Sequence, residues 1–168
     1  MRQFRSPLAL IPMIFSAGLA LSACTGMNMP SFGPSSDAPP PAPTEVPSRY
    51  TPEEFVGRWG LASYHREADR ARTEAAARSQ CRQPYVIAKG PGGGIMMHLA
   101  DQREPSDLRL KGSPDGKNFI GLPGEPAGSP QDREIISFDG RVLITRFVDP
   151  DAARRFGYMV YVRCGPRA

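Results

Sequence analysis

From residue 84 onward, short apolar runs alternate with polar turns, a pattern that is typical of β-strands. Two of the turns, Asp115-Gly116 and Asp139-Gly140, are Asp-Gly dipeptides between apolar runs, which is the strongest short-range signal for a β-hairpin. One further strand-like run opens at Trp59. The pattern therefore predicts eight strands, over residues 58–64, 84–89, 95–99, 107–111, 117–122, 133–138, 141–148 and 157–163.

Two segments outside these runs have helical signals. Thr51-Pro52-Glu53-Glu54 combines an N-cap residue, a proline at the first helical position and the glutamate of a capping box, so it predicts a short helix. Residues 65–80 are rich in alanine, contain no glycine or proline, and place Glu74 four residues from both Arg70 and Arg78. This segment predicts one longer helix, which can lie flat on the domain because its apolar side chains are all alanines.

The order of these elements favours a closed sheet. An antiparallel meander of eight strands can form a closed barrel or a strongly coiled sheet, and closure removes the exposed strand edges that invite aggregation. We therefore predict a mainly β fold over residues 51–168: an eight-stranded antiparallel meander barrel with one helix between strands one and two. Residues 142–144 and 159–162 are apolar on both faces, so that helix or a protein partner must cover them. Such a barrel is wide enough to be filled by side chains or to hold one small ligand.

Gly57-Arg58-Trp59 opens the first predicted strand directly after the short capped turn. This arrangement resembles the lipocalin-like (calycin) barrels, in which Gly-x-Trp starts strand one and an arginine near the end of the last strand packs over the tryptophan ring. Arg163 holds the matching position, so the resemblance implies that Trp59 and Arg163 pack together at one end of the barrel. The architecture is also similar to the small barrels of bacterial metalloprotease inhibitors and related outer-membrane lipoproteins.

Residues 1–23 carry Arg2 and Arg5, then about 13 largely apolar residues and a small-residue cleavage site, which predicts an export signal. A membrane-spanning helix would need roughly 20 apolar residues. Leu21-Ser22-Ala23-Cys24 resembles the lipobox of bacterial lipoproteins, which implies that Cys24 is lipidated after cleavage; an ordinary secretory signal is the alternative. Thr25, by the same resemblance, favours the outer membrane of a Gram-negative bacterium, with the domain facing the periplasm.

Residues 24–50 form a predicted linker between Cys24 and the domain. Seven of the 19 prolines fall between residues 30 and 47, and large apolar side chains are few. Such a segment cannot bury enough apolar surface to offset its conformational entropy, so we predict a disordered, proline-stiffened tether. A ligand for a proline-binding groove is the alternative interpretation.

Charge and reactive side chains predict neither a nucleic-acid partner nor a catalytic site. The net charge falls from +4 to +2 once the export signal is removed, and the arginines are scattered, so nucleic acid is not a predicted partner. With Cys24 lipidated, Cys81 and Cys164 are two thiols in an oxidising compartment, and we predict a disulfide between them rather than a reactive cysteine. His65 and His98 lack further ligands at metal-binding spacing, and we predict no catalytic residue, metal or cofactor.

These observations predict a non-catalytic envelope lipoprotein, held on the membrane by its lipid and able to bind an envelope protein or help organise the outer membrane. Two alternative functions are compatible with the same residues. One is a periplasmic protease inhibitor whose residues 48–56, ahead of the barrel, would enter a protease cleft. The other is a carrier of a small apolar ligand inside the barrel.

Overall fold

The barrel wall is built from eight strands that follow one another along the chain. In the computed structural model, which describes residues 46–165, each strand pairs antiparallel with the next and the last pairs with the first. The predicted closed antiparallel meander is therefore confirmed. The strands are β2 Gly57–Tyr64, β3 Tyr85–Lys89, β4 Ile95–His98, β5 Pro105–Gly112, β6 Asn118–Gly121, β7 Arg133–Phe138, β8 Val142–Phe147 and β9 Tyr158–Arg163, preceded by a two-residue strand β1 Val46–Pro47.

Three α-helices accompany the strands: α1 Pro52–Phe55, α2 Arg70–Ser79 and α3 Pro150–Phe156. The predicted capping box of α1 is present, with the Thr51 backbone N–H donating to Glu54 Oε2 at 2.8 Å. The helix predicted over 65–80 is α2 flanked by 3₁₀ turns at Glu67–Asp69 and Gln80–Arg82.

Helix α3 is an element that the strand pattern does not predict. The sequence nevertheless contains a helix N-cap signal, an aspartate followed by a proline. Asp149 accepts a hydrogen bond from the Ala152 backbone N–H at 2.8 Å, and Pro150 is the first residue of the helix. Gly157 ends the helix with a φ of 64°, a conformation that glycine adopts without steric cost. These cap signals mark both ends of a short helix, but the strand patterns on either side of it predict only strands and a connecting loop.

Residues 46–50, ahead of the helix-capping Thr51, pack on the domain, although their composition placed them in the predicted linker. Val46 and Pro47 pair with the part of β5 that lies beyond its pairing with β4. The Ser48 hydroxyl and the Arg49 backbone N–H donate to Asn118 Oδ1 at 3.0 and 2.8 Å, and Tyr50 packs edge-on against aromatic rings of the core. An available strand edge and an aromatic pocket order this segment. The predicted export signal, the predicted lipidation site Cys24 and the rest of the predicted linker lie outside the described residues.

The core fills the barrel and continues under α2. Inward-facing side chains form one cluster, which comprises Phe55, Trp59, Ile87, Ile95, Met97, Leu99, Leu108, Ile120, Ile135, Leu143 and Tyr161. On the outer face, Ala77 of α2 packs with Ile144, Val160 and Val162, so the helix supplies the cover that 142–144 and 159–162 require. Among the described residues, no helix is long and apolar enough to cross a membrane.

Candidate functional site

One end of the barrel, where β2 begins and β9 ends, is sealed; we call it the closed end. The Arg163 guanidinium carbon lies 4.1 Å from the centroid of the Trp59 ring, so the structure brings together the pair that the calycin resemblance implies. Arg163 donates hydrogen bonds to the carbonyl oxygens of Gly140, Val56 and Glu54 at 2.9, 3.1 and 2.5 Å. Trp59 Nε1 donates to the Phe55 carbonyl at 2.8 Å. The side-chain donors of Arg163 and Trp59 are therefore hydrogen-bonded to the backbone of the protein itself.

The predicted disulfide joins two elements at the closed end. The sulfur atoms of Cys81 and Cys164 are 1.92 Å apart, with 5.5 Å between the Cα atoms. Cys81 lies in the 3₁₀ turn after α2, and Cys164 follows β9, where its backbone N–H donates to the Arg58 carbonyl at 2.8 Å. The bridge therefore holds α2 and the last strand together.

The opposite end, where β2 and β8 end and β9 begins, is less completely closed; we call it the mouth. Only Gly57–Trp59 of β2 pair with β3, while the rest of β2 pairs with β9 alone. Interior-facing side chains beside this gap are not fully buried: Leu61, Tyr85 and Met159 are half-buried, and Ser63 is exposed. The hydrogen-bonded wall is thus interrupted between the second half of β2 and β3.

Four polar side chains from four strands meet inside the mouth, and we call them the mouth cluster: Arg133, Tyr161, Tyr85 and His98. Arg133 donates through Nη1 to the Tyr161 hydroxyl at 3.1 Å and through Nη2 to the His98 carbonyl. The His98 backbone N–H donates to the Tyr85 hydroxyl at 3.0 Å, and His98 Nδ1 lies 3.1 Å from the same oxygen. The Tyr85 and Tyr161 rings meet with centroids 5.7 Å apart. The cluster links the half-exposed Tyr85 to the buried Arg133.

Hydrogen-bond donors outnumber acceptors here. Arg133 is 2% exposed, and its Nε has no acceptor among the described residues. No carboxylate in residues 46–165 lies within salt-bridge distance of its guanidinium. Thr145, 0% exposed on the neighbouring strand, has a hydroxyl without a partner in the same region. Tyr161 accepts from Arg133, and its own hydroxyl proton has no acceptor within the described part of the chain.

The phenol of Tyr85 stays protonated at neutral pH. Burial raises the pKa of Tyr85 to about 12, and the nearby Tyr161 phenol adds to the effect. A group with that pKa acts as a hydrogen-bond donor or acceptor rather than as a base. The mouth cluster is therefore suited to binding, with a permanent positive charge on Arg133.

Helix α3 covers the mouth on the side away from the gap. The Phe156 ring contacts Phe147 at 5.3 Å between centroids, and Phe147 in turn lies under the Arg133 guanidinium at 4.7 Å. Arg155 of α3 binds both carboxylate oxygens of Asp101, at 2.7 and 2.6 Å, which ties the helix to the loop after β4. A cavity of about 230 Å³ lies here, with Phe147 in its wall.

A second buried charge lies one residue before Arg133 and has a full set of partners. Asp132, 0% exposed, is 2.7 Å from Lys111 Nζ and accepts from the Gly128 backbone N–H at 2.9 Å. Lys111 also donates to the carbonyl oxygens of Leu122, Glu125 and Pro126. Burial raises the pKa of Asp132 and the Lys111 ammonium opposes that shift. This pair fastens the loop 122–132 on the outside of the barrel.

The structure assigns structural places to the other sequence candidates. His98 belongs to the mouth cluster, whereas His65 lies at the exposed end of β2, two residues beyond Ser63. In the described part of the chain, no group of three or more His, Cys, Asp or Glu side chains is arranged to hold a metal ion. The glycine-rich segment 90–94 forms a hairpin turn in which the Gly92 backbone N–H donates to Asp107 Oδ2 at 2.6 Å.

The sequence pattern does not mark Arg133, Tyr85, Tyr161 or Thr145 as candidate site residues. A signal for Arg133 existed, since strand alternation places it on the same face as the core residue Ile135. A charged residue on the inward face of a strand marks a position to examine.

No protein-family model, curated protein or solved structure matches this chain.

Proposed function

We propose that this protein is a non-catalytic binding module of the bacterial envelope, tethered through lipidated Cys24 to the periplasmic face of the outer membrane, with the barrel mouth as its binding face. The observation that carries the proposal is the buried, incompletely paired Arg133 inside the end of the barrel where the hydrogen-bonded wall is interrupted. Unpaired polar groups in a protein interior are costly, and they concentrate where a ligand completes them.

The packing of residues 46–55 on the domain argues against a protease-inhibitor function. An inhibitor of the type considered above would insert residues 48–56 into a protease cleft. Here Ser48 and Arg49 are held by Asn118, and Phe55 is fully buried beside Tyr50. Insertion would require all of these contacts to break, so this segment is poorly suited to project from the domain.

The tether is tested by changing Cys24 to serine and following the full chain in cells. We expect the unchanged protein to incorporate radiolabelled palmitate and to sediment with the outer membrane, and the serine variant to lose both properties. Thr25→Ser, which leaves the cysteine in place, is the matched control. A serine variant that still carries label and stays in the membrane would contradict lipidation at Cys24.

The binding face is tested with a photo-crosslinking residue placed in the full-length protein at Ser63, in the mouth, or at Asp115, which is exposed in a closed-end turn. After irradiation in cells, we expect a mass adduct on the Ser63 version and none on the Asp115 version. Equal adducts at both sites, or an adduct at Asp115 alone, would move the binding face away from the mouth.

A further inference from the structure

A groove of about 860 Å³ lies on the outside of the barrel towards the closed end, and we call it the β1 groove. Strand β1 forms one side of it, the loop 123–127 forms another, and the last residues of β5 lie between them. The lining is mainly apolar and includes four prolines, which are Pro47, Pro114, Pro123 and Pro126. Its volume is in the range of grooves that hold a ligand or a short segment of chain.

The chain enters the described domain at the edge of this groove. Val46 and Pro47 line the groove and pair with the end of β5. The contact is close, because a Cβ on Gly112 would lie 2.4 Å from the Pro47 carbonyl oxygen. An extended chain spans at most about 3.6 Å per residue, so residues 39–45 must all lie within about 25 Å of Val46. Whatever path they take, they start beside the groove.

The sequence of residues 39–45, Pro-Pro-Pro-Ala-Pro-Thr-Glu, suits an apolar groove. Proline has no backbone N–H, so a run of prolines can lie against apolar surface without leaving donors unpaired. Prolines favour the polyproline II helix, which makes no internal hydrogen bonds and loses little conformational entropy when it docks. The backbone carbonyl oxygens of such a segment are acceptors that still need donors.

Arg109 offers donors to these acceptors. It lines the groove with its guanidinium close to Gly92, and it has no hydrogen bond or ion pair within the described residues. Lys111, the other cation in the lining, is already paired with Asp132. The groove therefore combines apolar walls with one arginine whose five N–H groups can donate to backbone carbonyls.

Connectivity favours the segment of the same chain as the occupant. A segment joined to its site by a few residues has an effective concentration of about 1 mM or more. Docking with an intrinsic dissociation constant of about 1 mM would therefore fill the groove about half of the time. A separate protein at about 1 μM would need roughly thousandfold tighter binding to reach the same occupancy.

We infer that residues 39–45 dock into the β1 groove of their own chain as an extended polyproline II segment, with Arg109 donating to their backbone carbonyls. Docking continues the packing of residues 46–50 on the domain. It takes roughly 22 Å, at about 3.1 Å per residue, from the reach of the predicted tether. The rest of the tether then starts on the closed-end side of the domain, opposite the mouth.

NMR relaxation of the full chain carrying Cys24→Ser, which removes the predicted lipid anchor, tests the docking. The Ala42 backbone N–H reports on the segment, and that of Ser36 reports on the tether upstream of it. We expect an order parameter above about 0.6 for Ala42 and below about 0.6 for Ser36. The Ala42 value should not change on tenfold dilution, because the contact is within one chain.

Changes in the tether test the contact without touching the domain. Replacing the four prolines 39, 40, 41 and 43 with serine should shift the amide resonances of Gly124 and Ala127 in the groove wall. A loss of stiffness in the tether alone would not move these resonances. Replacing Pro30 and Pro34 with serine is the matched control and should leave them in place. A synthetic peptide of residues 37–45, added to the four-serine variant at about 10 mM, should shift them back.

Changes in the groove give the reciprocal test. Ala127→Glu adds a bulky charge to the groove wall and should lower the Ala42 order parameter to the value of Ser36. Gln131→Glu adds the same charge to the same loop outside the groove, and it should leave Ala42 unchanged. Arg109→Met should lower the Ala42 order parameter by a smaller amount, because it removes the donors and leaves the apolar walls.

Three results would overturn the inference. The first is an Ala42 order parameter as low as that of Ser36, and the second is a set of groove resonances that ignores both the four-serine change and the peptide. The third is an Ala42 value that falls on dilution, which would assign the groove to the tether of a second copy. None of them bears on the Ser63 crosslink, so the proposed function stands or fails independently of this docking.

Discussion

The two ends of the barrel use the same residue type in opposite ways. At the closed end, Arg163 lies over Trp59 and donates to three backbone carbonyls. At the mouth, Arg133 is nearly inaccessible to solvent and makes two hydrogen bonds, leaving Nε without an acceptor in the described residues. The hydrogen bonds of Arg163 close one end of the fold, whereas Arg133 keeps a donor, Nε, without an acceptor among the described residues.

A neighbouring pair sharpens this comparison. Asp132 and Arg133 are consecutive and both buried, but Asp132 faces Lys111 on the outside of the wall while Arg133 faces the interior. The fold therefore neutralises one of two adjacent charges and not the other. Departures from full pairing are expected at functional sites, where stability is exchanged for recognition.

The largest expected effect lies at the closed end, in the disulfide. Cys81→Ser together with Cys164→Ser should lower the free energy of unfolding by about 4–5 kcal/mol in the chain-entropy model, since the bridge spans 83 positions. Urea denaturation of the full chain carrying Cys24→Ser measures the change, with Cys24→Ser alone as the control. An unchanged urea midpoint would show that the bridge does not stabilise the fold.

Removing the cation of the buried Asp132–Lys111 pair should destabilise the protein almost as much as removing the disulfide. Lys111→Met leaves the Asp132 carboxylate buried without its cation, which should cost about 3–5 kcal/mol of unfolding free energy. Arg133→Met, one residue away from Asp132, should cost nothing or stabilise the protein. Adding Asp132→Leu to Lys111→Met should recover much of the loss in urea titrations. Equal losses of unfolding free energy in Lys111→Met and Arg133→Met would contradict the difference expected between a paired and an unpaired buried charge.

Arg163 at the closed end should contribute an intermediate amount. Arg163→Met removes three hydrogen bonds and the contact with Trp59, and we expect a loss of about 2–3 kcal/mol. Arg141→Met, an exposed arginine at the same end, serves as the matched control and should change stability little. Urea titration compares the two variants. Equal losses of unfolding free energy would mean that the contacts of Arg163 stabilise the fold no more than an exposed arginine does.

The smallest expected effect is at the mouth, in the exposed pair of Asp101 and Arg155. The Arg155 guanidinium lowers the pKa of Asp101, so the contribution of the pair is complete above about pH 4, the unfolded value, and is lost as pH falls through the lower folded pKa. Asp101→Asn should speed hydrogen exchange in α3 at neutral pH and low salt. Asparagine tolerates the φ of 63° found at this position.

Two conditions test the origin of that effect on α3. The difference between Asp101→Asn and the unchanged protein should disappear at high salt, because exposed pairs are screened, and in strongly acidic solution, where Asp101 is protonated. Arg154→Gln, which affects a pair within α3 itself, should not loosen the attachment of the helix to the loop after β4. Exchange that is insensitive to salt would assign the attachment to Phe147 and Phe156 instead.

Much of the fold could be predicted from local patterns. Period-two alternation and two Asp-Gly turns indicated the eight strands, and Gly57-Arg58-Trp59 with Arg163 indicated how one end is packed. Helix α3 went unpredicted although Asp149, Pro150 and Gly157 carry its cap signals. The candidate site was harder to predict because its donors are separated in sequence and are polar residues of ordinary strands.

The sequence by itself determined the strands, their meander order and the pairing of two cysteines, because each depends on local periodicity or on having few alternatives. Tertiary structure alone decided which buried charges have partners. Asp132 meets Lys111, and Arg133 meets no carboxylate of the described residues. Strand pleating sends these consecutive side chains to opposite faces, and barrel closure makes one of those faces the interior. Burial then converts that difference in pairing into a difference in free energy.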